Sequence, residues 1–356
     1  MTHFVVDESR SFTIHAGPRA AEHIAREGLR PADIACVPAA AGGPKGLGLI
    51  PLDQRLFGGW LDGAPGVELI GASIGAWRMC AAAQTDAPAA LARLAEAYVA
   101  QTYPPKPSAQ RVSDECRLIA RAALGAGIPT LRPEARLTVI TARARGALDR
   151  RSGKRAFARA AFANLRGRAH LATHMERVVF ATPAARFPHE PFDRFGLRRV
   201  AFSAANAEDA LLASGSIPLV AAPVETPAGA PPGDYWDGGL IDYHLQLPYA
   251  QLSGLVLYPH FVPYVTPGWL DKHLPWRAHS RAHPWLANMV LIAPSRSLLG
   301  RLPNRKLPDR QDFYRYGLDH ERRQRDWKRA IAECERFADE VMAWLARPDP
   351  SRIAPL

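Results

Sequence analysis

The sequence predicts an α/β protein in which short buried strands alternate with helices. Brief apolar runs bounded by turn residues are typical of buried strands, and they occur at residues 34–37, 67–70, 137–141, 200–202 and 255–258. Stretches with helical spacing of apolar residues lie between several of these runs. This alternation is typical of a layered fold in which helices pack against a sheet.

The helical stretches have recognisable starts, stops and apolar faces. Pro18 stands at a favourable first-turn position, and Gly28 follows where a helix stop belongs. Residues 76–83 contain no helix breaker, and apolar residues recur at helical spacing after Pro88. The same spacing over about residues 319–346 predicts one long amphipathic helix.

We expect a single domain over residues 1–356. The chain has 356 residues, of which 47% are hydrophobic, and this is enough to bury a sizeable core. The proline-rich stretch 221–235 predicts a stiff surface loop and not a linker between domains. The motifs described below fall within about residues 34–249, and residues 264–356 form a C-terminal region around the long helix.

The first motif is Gly71-Ala72-Ser73-Ile74-Gly75, which fits the pattern G-x-S-x-G. A predicted strand precedes it and a predicted helix follows it, as in a nucleophile elbow that lifts a serine hydroxyl out of a sheet. The flanking Gly71 and Gly75 let backbones pass closely where a Cβ atom would clash. The pattern alone fits a glycine-rich turn with an incidental serine equally well.

The second motif is a glycine-rich loop, AAGGPKG, at residues 40–46. Consecutive glycines such as Gly42 and Gly43 at the start of a helix leave amide groups unpaired, and such groups suit an anion. In an acyl hydrolase that anion is the oxygen of the tetrahedral intermediate. A phosphate-binding loop is the competing interpretation, but its Gly-Lys-Ser/Thr order is absent because Lys45 precedes Gly46.

The third motif is Asp237-Gly238-Gly239, a tight turn that holds a carboxylate at a fixed point. Taken alone, it is typical of an ordinary turn. A fourth stretch, ALLASGSIP at residues 210–218, has the small residues of a tightly packed helix end.

Together and in this order, the motifs resemble the patatin-like phospholipase family, with its patterns G-G-x-[RK]-G, G-x-S-x-G and D-G-[GA]. The resemblance covers roughly residues 34–249. It implies a three-layer α/β/α fold with a central, mainly parallel sheet, and the activity of a carboxylic ester hydrolase acting on lipid esters. It also implies that Ser73 is the nucleophile and Asp237 its general base in a catalytic dyad, without a cofactor or metal.

The resemblance further implies that Gly42 and Gly43 supply the amides of an oxyanion hole. Lys45, Gly46, Gly71, Gly75, Gly238 and Gly239 support the motifs. The family often has a third glycine and an acidic residue at the front of the loop, where this chain has Ala41 and Ala40. Pro44 contributes no amide, whereas Ala41 retains one.

Two alternatives stay open at this point. A catalytically silent protein on the same fold would bind a lipid or an anion without turnover. A Ser-Asp-His esterase would use His244 or His260, which follow Asp237 in the chain order of α/β-hydrolases. His279 and His283 have i, i+4 spacing but no accompanying carboxylate motif, so we expect surface or packing roles for them.

The formal net charge of +11 favours anionic partners. Residues 143–168 carry nine basic side chains and one acidic one, which predicts a solvated basic face or a peripheral contact with an anionic membrane. Nucleic acid is disfavoured because no recognised nucleic-acid module accompanies the charge.

The cellular setting is inferred from what the chain lacks. Its four cysteines are widely spaced, which predicts reduced thiols. The beginning, MTHFVVDESRS, has neither the basic nor the apolar part of a signal peptide, and no apolar run approaches membrane-spanning length. We therefore expect a cytoplasmic protein whose membrane contact is peripheral.

Overall fold

A large, mainly parallel sheet with helices around it organises the chain. The computed structural model describes residues 10–64, 66–148, 153–278 and 283–356. In these residues the helices and the sheet form a three-layer α/β/α arrangement. The predicted fold class is confirmed.

The strands of the described residues belong to one sheet. Their order along the sheet is β11-β1-β10-β9-β2-β3-β4-β5-β6, with β8 paired to β4 and β7 paired to β8. The bounds are β1 Phe12–Ala16, β2 Ile34–Ala39, β3 Glu68–Ala72, β4 Arg136–Ala144, β5 Met175–Ala181, β6 Arg198–Ala201, β7 Val224–Glu225, β8 Asp234–Asp237, β9 Leu255–Pro259, β10 Met289–Pro294 and β11 Ile353–Pro355.

Helices occupy most of the segments between the strands. The bounds are α1 Pro18–Glu27, α2 Ile50–Phe57, α3 Ile74–Ala82, α4 Ala87–Ala100, α5 Ala109–Leu124, α6 Lys154–Arg166, α7 Arg168–Leu171, α8 Ala207–Gly215, α9 Pro275–Ala278, α10 Arg296–Arg301, α11 Gln311–Tyr316 and α12 His320–Ala346. Short 3₁₀ helices include Gly43–Leu49, Gly238–Leu240 and Trp269–His273. Among the described residues, none of the helices combines the length and the apolar character that crossing a membrane requires.

The central strands β2, β3 and β4 run parallel, with Ala39 opposite Gly71 and Ala72 opposite Ile140. All five residues of β3 are buried, because helices cover both faces of a central parallel strand. The carboxyl ends of β2 and β3 therefore meet at one edge of the sheet. In such folds this edge is where ligands bind.

All five predicted strands are present, as β2, β3, β4, β6 and β9, with ends that agree to within three residues. The long C-terminal helix is confirmed as α12, and Gly28 ends α1 with a φ of 77°. Two expectations need correction. The glycine loop continues as a 3₁₀ helix from Gly43, and the surface loop predicted at 221–235 contains β7 and the start of β8.

The basic stretch 143–168 divides into parts with different environments. Arg143 forms an ion pair with Glu176 at 2.6 Å, and Arg168 forms one with Asp271 at 2.7 Å. The charges that face solvent lie mainly on α6. Arg150 and Arg151 lie outside the described residues.

Candidate active site

Ser73 occupies the sharp turn between β3 and α3. Its φ of 56° and ψ of −133° are strained for a residue with a Cβ atom, and such strain is typical of a nucleophile elbow. A Cβ atom added to Gly71 would lie 2.4 Å from the backbone of Gly75. One added to Gly75 would lie 1.9 Å from the carbonyl oxygen of Ala39, so both glycines are sterically required.

Ser214, at the end of α8, supports this turn from behind. The amide of Ser73 donates a hydrogen bond of 2.9 Å to the Ser214 hydroxyl, which itself donates to the carbonyl oxygen of Ile140 at 2.7 Å. The Ser214 side chain is fully buried. The small-residue stretch 210–218 marked this region in the sequence, but no local pattern indicated the hydrogen bond to the elbow.

Asp237 ends β8, which pairs with β4 and places Asp237 opposite Thr141. The Asp237 amide donates to the carbonyl oxygen of Ser216 at 2.8 Å, and the Gly239 amide donates to Asp237 Oδ1 at 2.7 Å. The end of α8 and the residue after it therefore hold the backbone of Ser73 through Ser214 and that of Asp237 through Ser216.

Ser73 and Asp237 line one cavity, close enough that the Ser73 hydroxyl lowers the pKa of the Asp237 carboxylate as a hydrogen-bond donor would. Burial raises the pKa of Asp237 to about 6, against the opposing effects of Ser73, the Gly239 amide and the positive charge of Arg310. The carboxylate is thus held next to the hydroxyl with an affinity for protons well above that of an exposed aspartate.

The two glycines after Asp237 permit close backbone contacts. A Cβ atom on Gly238 would lie 2.3 Å from the carbonyl oxygen of Ile140. One on Gly239 would lie 2.6 Å from the Cβ atom of Ala41, in the glycine loop. The aspartate turn therefore packs directly against the loop predicted to form the oxyanion hole.

Within the glycine loop, the amides of Gly42 and Gly43 donate to no acceptor among the described residues. Both glycines line the same cavity as Ser73. The φ of Gly43 is 56°, and a Cβ atom on Gly42 would lie 2.4 Å from the Phe261 ring. Free amides beside a nucleophile are what an oxyanion hole requires.

Ala41 does not replace the missing third glycine as a donor. Its amide donates to the carbonyl oxygen of Tyr243 at 3.0 Å, so it is not available to a substrate. Pro44 has no amide hydrogen. The available donors in this loop therefore belong to Gly42 and Gly43.

Lys45 and Gly46 complete the loop. The Lys45 side chain is half-buried, lines the cavity and places its ammonium group 5.0 Å from the centre of the Phe261 ring. Gly46 packs against α3, where an added Cβ atom would lie 2.7 Å from the Ile74 side chain. Gly46 thus sets the distance between the loop and the elbow helix.

The cavity at this site has a volume of about 230 Å³. It is lined by Ala41, Gly42, Gly43, Lys45, Ser73, Ile217, Asp237, Gly239, Leu240, Tyr243, Trp269, Lys272, Asp309, Arg310 and Gln311. A larger groove of about 700 Å³ lies at the amino ends of β2, β3 and β9, where it contacts Ile34, Glu68 and Leu255. No residue of the three motifs lines that groove, so the candidate site residues belong to the smaller cavity.

Neither His244 nor His260 lines the cavity. Both are buried, and their ring centroids lie 4.4 Å apart. Burial lowers the pKa of His244 far below its usual value and that of His260 to about 3. His283 accepts a hydrogen bond from the Trp285 amide at 3.2 Å, and His279 lies outside the described residues.

The residues after the aspartate turn have separate roles. Tyr243 lines the cavity. Asp242 instead pairs with the fully buried Arg177, at 2.6 Å and 2.8 Å, and this anchors the turn to β5. The described part of the chain contains no cluster of three or more histidines, cysteines, aspartates or glutamates suited to a metal.

The walls of the cavity away from the motifs come from C-terminal segments. Trp269 and Lys272 belong to the 3₁₀ helix Trp269–His273, while Asp309, Arg310 and Gln311 lie at the start of α11. No residue between Tyr103 and Gly125 lines the cavity. Sequence reasoning did not identify Lys272 or Arg310, because neither lies in a motif and only the tertiary fold brings them to the site.

No family model matches this chain, and no curated protein matches its sequence.

Proposed function

We propose that this protein is a serine acyl-ester hydrolase acting on lipid esters, with Ser73 as nucleophile and Asp237 as general base. One observation carries the proposal. Three motifs separated by tens to more than a hundred residues line one cavity, in which a strained serine lies beside a buried carboxylate and lowers its pKa. An incidental serine and an ordinary aspartate turn have no reason to meet there.

In the proposed reaction, Ser73 Oγ attacks the ester carbonyl carbon while Asp237 takes the hydroxyl proton. The amides of Gly42 and Gly43 stabilise the negative oxygen of the tetrahedral intermediate. When the intermediate collapses, Asp237 returns its proton to the leaving alcohol, and the acyl group remains on Ser73. A water molecule then loses a proton to Asp237 and attacks the acyl carbon. When this second intermediate collapses, the acid is released and Asp237 returns the proton to Ser73 Oγ.

A dyad is chemically sufficient here because the pKa of Asp237 is raised to about 6. A base works best when its pKa lies near the working pH, where it is deprotonated yet accepts a proton readily. The sequence motifs resemble those of patatin-like phospholipases, and we propose that the chain is related to that family.

A chain-length panel tests this function. The wild-type protein is expected to hydrolyse uncharged carboxylic esters, and Ser73→Ala is expected to abolish this while the circular dichroism spectrum stays unchanged. Ser253→Ala, at an exposed serine outside the site, serves as the matched control. Absence of hydrolysis across the panel by folded wild-type protein would favour the catalytically silent alternative.

We also propose a cytoplasmic protein with peripheral contact to anionic membranes. On α6, Arg155, Arg159, Phe162 and Arg166 follow helical spacing along one exposed strip, with Leu165 exposed beside it. Phe162 is 60% exposed, and the guanidinium of Arg166 lies 5.7 Å from the centre of its ring. Cations attract anionic headgroups, and the apolar side chains suit the region beneath them.

A further inference from the structure

Cationic side chains line the cavity of Ser73 alongside the catalytic motifs. Lys45, Lys272 and Arg310 all belong to this lining. They come from the glycine loop, from the 3₁₀ helix Trp269–His273 and from the residue before α11. Three distant segments therefore bring positive charge to one small space.

These charges are close enough to act on one another. Burial lowers the pKa of Lys272, and the positive charges of Arg310 and Lys45 lower it further. Burial likewise lowers the pKa of Lys45, where Arg310 and Lys306 act in the same direction and Asp309 opposes them. Like charges gathered in a half-buried space repel one another, and a bound anion would relieve this repulsion.

The acidic residues of the lining do not remove this excess. Asp309 forms an ion pair with Lys306 at 2.6 Å, and Lys306 does not itself line the cavity. The positive charge of Arg310 acts on Asp237, but this is one carboxylate against the three cations of the lining. Within residues 10–64, 66–148, 153–278 and 283–356, neither Lys45, Lys272 nor Arg310 forms an ion pair.

Aromatic rings hold two of the cations in place. The ammonium group of Lys45 lies 5.0 Å from the centre of the Phe261 ring, and that of Lys272 lies 4.6 Å from the centre of the Trp269 ring. An aromatic face attracts a cation without neutralising its charge. Arg310 lies against the glycine loop, where its Nε atom would be 3.5 Å from a Cβ atom on Gly43.

We propose that Lys45, Lys272 and Arg310 form a subsite for a negatively charged group, a carboxylate or a phosphate, which the ester substrate carries near its scissile bond. This inference rests on the proposed function, because it concerns the substrate of the same site. It predicts that the protein distinguishes esters by their charge as well as by their chain length.

The first arm of the test compares two soluble esters of equal length, monomethyl adipate and methyl hexanoate, which differ in one terminal carboxylate. We expect the kcat/KM of wild-type protein to be higher for the anionic ester. Lys272 is suited to substitution because its side chain, although partly buried, reaches solvent at the cavity. Lys272→Met should lower the anionic-to-neutral ratio of kcat/KM by about tenfold, because one charged hydrogen bond contributes about that much. Lys272→Glu should lower the ratio further.

The second arm compares oleoyl lysophosphatidic acid with monooleoylglycerol in neutral detergent micelles. These lipids differ in the phosphate, so the arm separates a lipid headgroup from a soluble carboxylate as the source of the charge. Lys328→Met and Lys328→Glu are the matched controls, since Lys328 is an exposed lysine of α12 outside the cavity, and they should leave both ratios unchanged.

A charge preference that falls in the Lys272 variants supports the subsite, and the arm in which it appears identifies the anion. Equal ratios for the wild-type and Lys272 variants in both arms would overturn the subsite, provided that a fluorophosphonate still labels Ser73 in each protein. If Ser73 is not labelled and neither neutral ester is cleaved, it is the proposed function that fails.

Discussion

Asp237 destabilises the folded protein through the same burial that suits it to act as a base. Burial raises its pKa from 3.8 to about 6, so between these values the folded chain binds a proton that the unfolded chain has lost. The stabilisation that comes from this bound proton is fully present below pH 3.8, and it is lost as the pH rises through about 6. Above neutrality the ionised carboxylate is therefore a net cost to folding.

Asp237→Asn should remove this cost. At about pH 8 the variant should have a free energy of unfolding up to ~3 kcal/mol above that of the wild-type protein, and the difference should shrink toward pH 4. Urea unfolding at a series of pH values measures this. Asp114→Asn, at an exposed aspartate of α5, is the control and should show little change. A difference that does not vary with pH would contradict the raised pKa.

Ser214 offers a test of positioning. Ser214→Ala leaves the buried Ser73 amide and the Ile140 carbonyl without their partner, which should cost about 1–3 kcal/mol of stability. Because the Ser214 hydroxyl holds the proposed nucleophile and does not line the cavity, kcat should fall at least ~10-fold while KM changes little.

The matched control is Ser216→Ala, which removes a hydrogen bond to Leu212 and leaves the backbone bond from the Asp237 amide to the Ser216 carbonyl in place. A loss of kcat equal in the two variants would show that Ser214 has no special part in positioning Ser73.

At the scale of elements, the elbow depends on how closely α3 approaches β2. Gly75→Ala would place a Cβ atom 1.9 Å from the Ala39 carbonyl oxygen, and a backbone atom there cannot move aside cheaply. The free energy of unfolding should therefore fall by at least ~3 kcal/mol. Thermal and urea unfolding measure the loss.

Gly300→Ala is the matched control, because a Cβ atom at this position of α10 meets nothing within 4 Å. It should stabilise the protein by up to about 1 kcal/mol through helix propensity. A Gly75→Ala variant as stable as Gly300→Ala would mean that the elbow packing is looser than described.

Sequence reasoning missed the strand β5, and the charged residues of this strand explain why. All seven of its residues are buried, yet its sequence MERVVFA contains two charges. Glu176 pairs with Arg143 on β4, and Arg177 pairs with Asp242 after β8. Such charges are tolerated inside a sheet only with distant partners, and the sequence alone does not reveal those partners.

The site was predictable where local patterns encode it. Ser73, Asp237 and the glycine loop belong to motifs with a defined backbone geometry, and the structure brings them to one cavity. Lys272 and Arg310 belong to no motif and reach the cavity only through the packing of C-terminal segments. The sequence alone therefore could not identify these two residues as part of the site.

At the scale of the whole molecule, α6 forms a basic surface whose partner is open to test. Arg155→Glu with Arg159→Glu should weaken binding to vesicles containing phosphatidylglycerol by at least ~10-fold, since each cation near an anionic surface contributes ~1 kcal/mol. Wild-type binding should also weaken as salt rises, because salt screens exposed charges. Co-sedimentation measures both effects.

Lys328→Glu with Arg329→Glu reverses the same number of exposed charges on α12 and should leave vesicle binding near the wild-type level. Equal losses in the two double variants would assign the binding to net charge alone. If vesicle binding changes neither with salt nor with charge reversal, α6 is an ordinary solvated surface.

Fluorophosphonate labelling, followed by peptide mass spectrometry across pH, tests the Ser73–Asp237 dyad most directly. We expect one adduct, on Ser73, formed at a rate that rises through about pH 6 and then levels as Asp237 loses its proton. Asp237→Asn should slow labelling by ~10²–10⁴-fold and remove the pH dependence. An adduct on another serine, or an Asp237→Asn variant labelled as fast as the wild-type protein, would contradict the dyad.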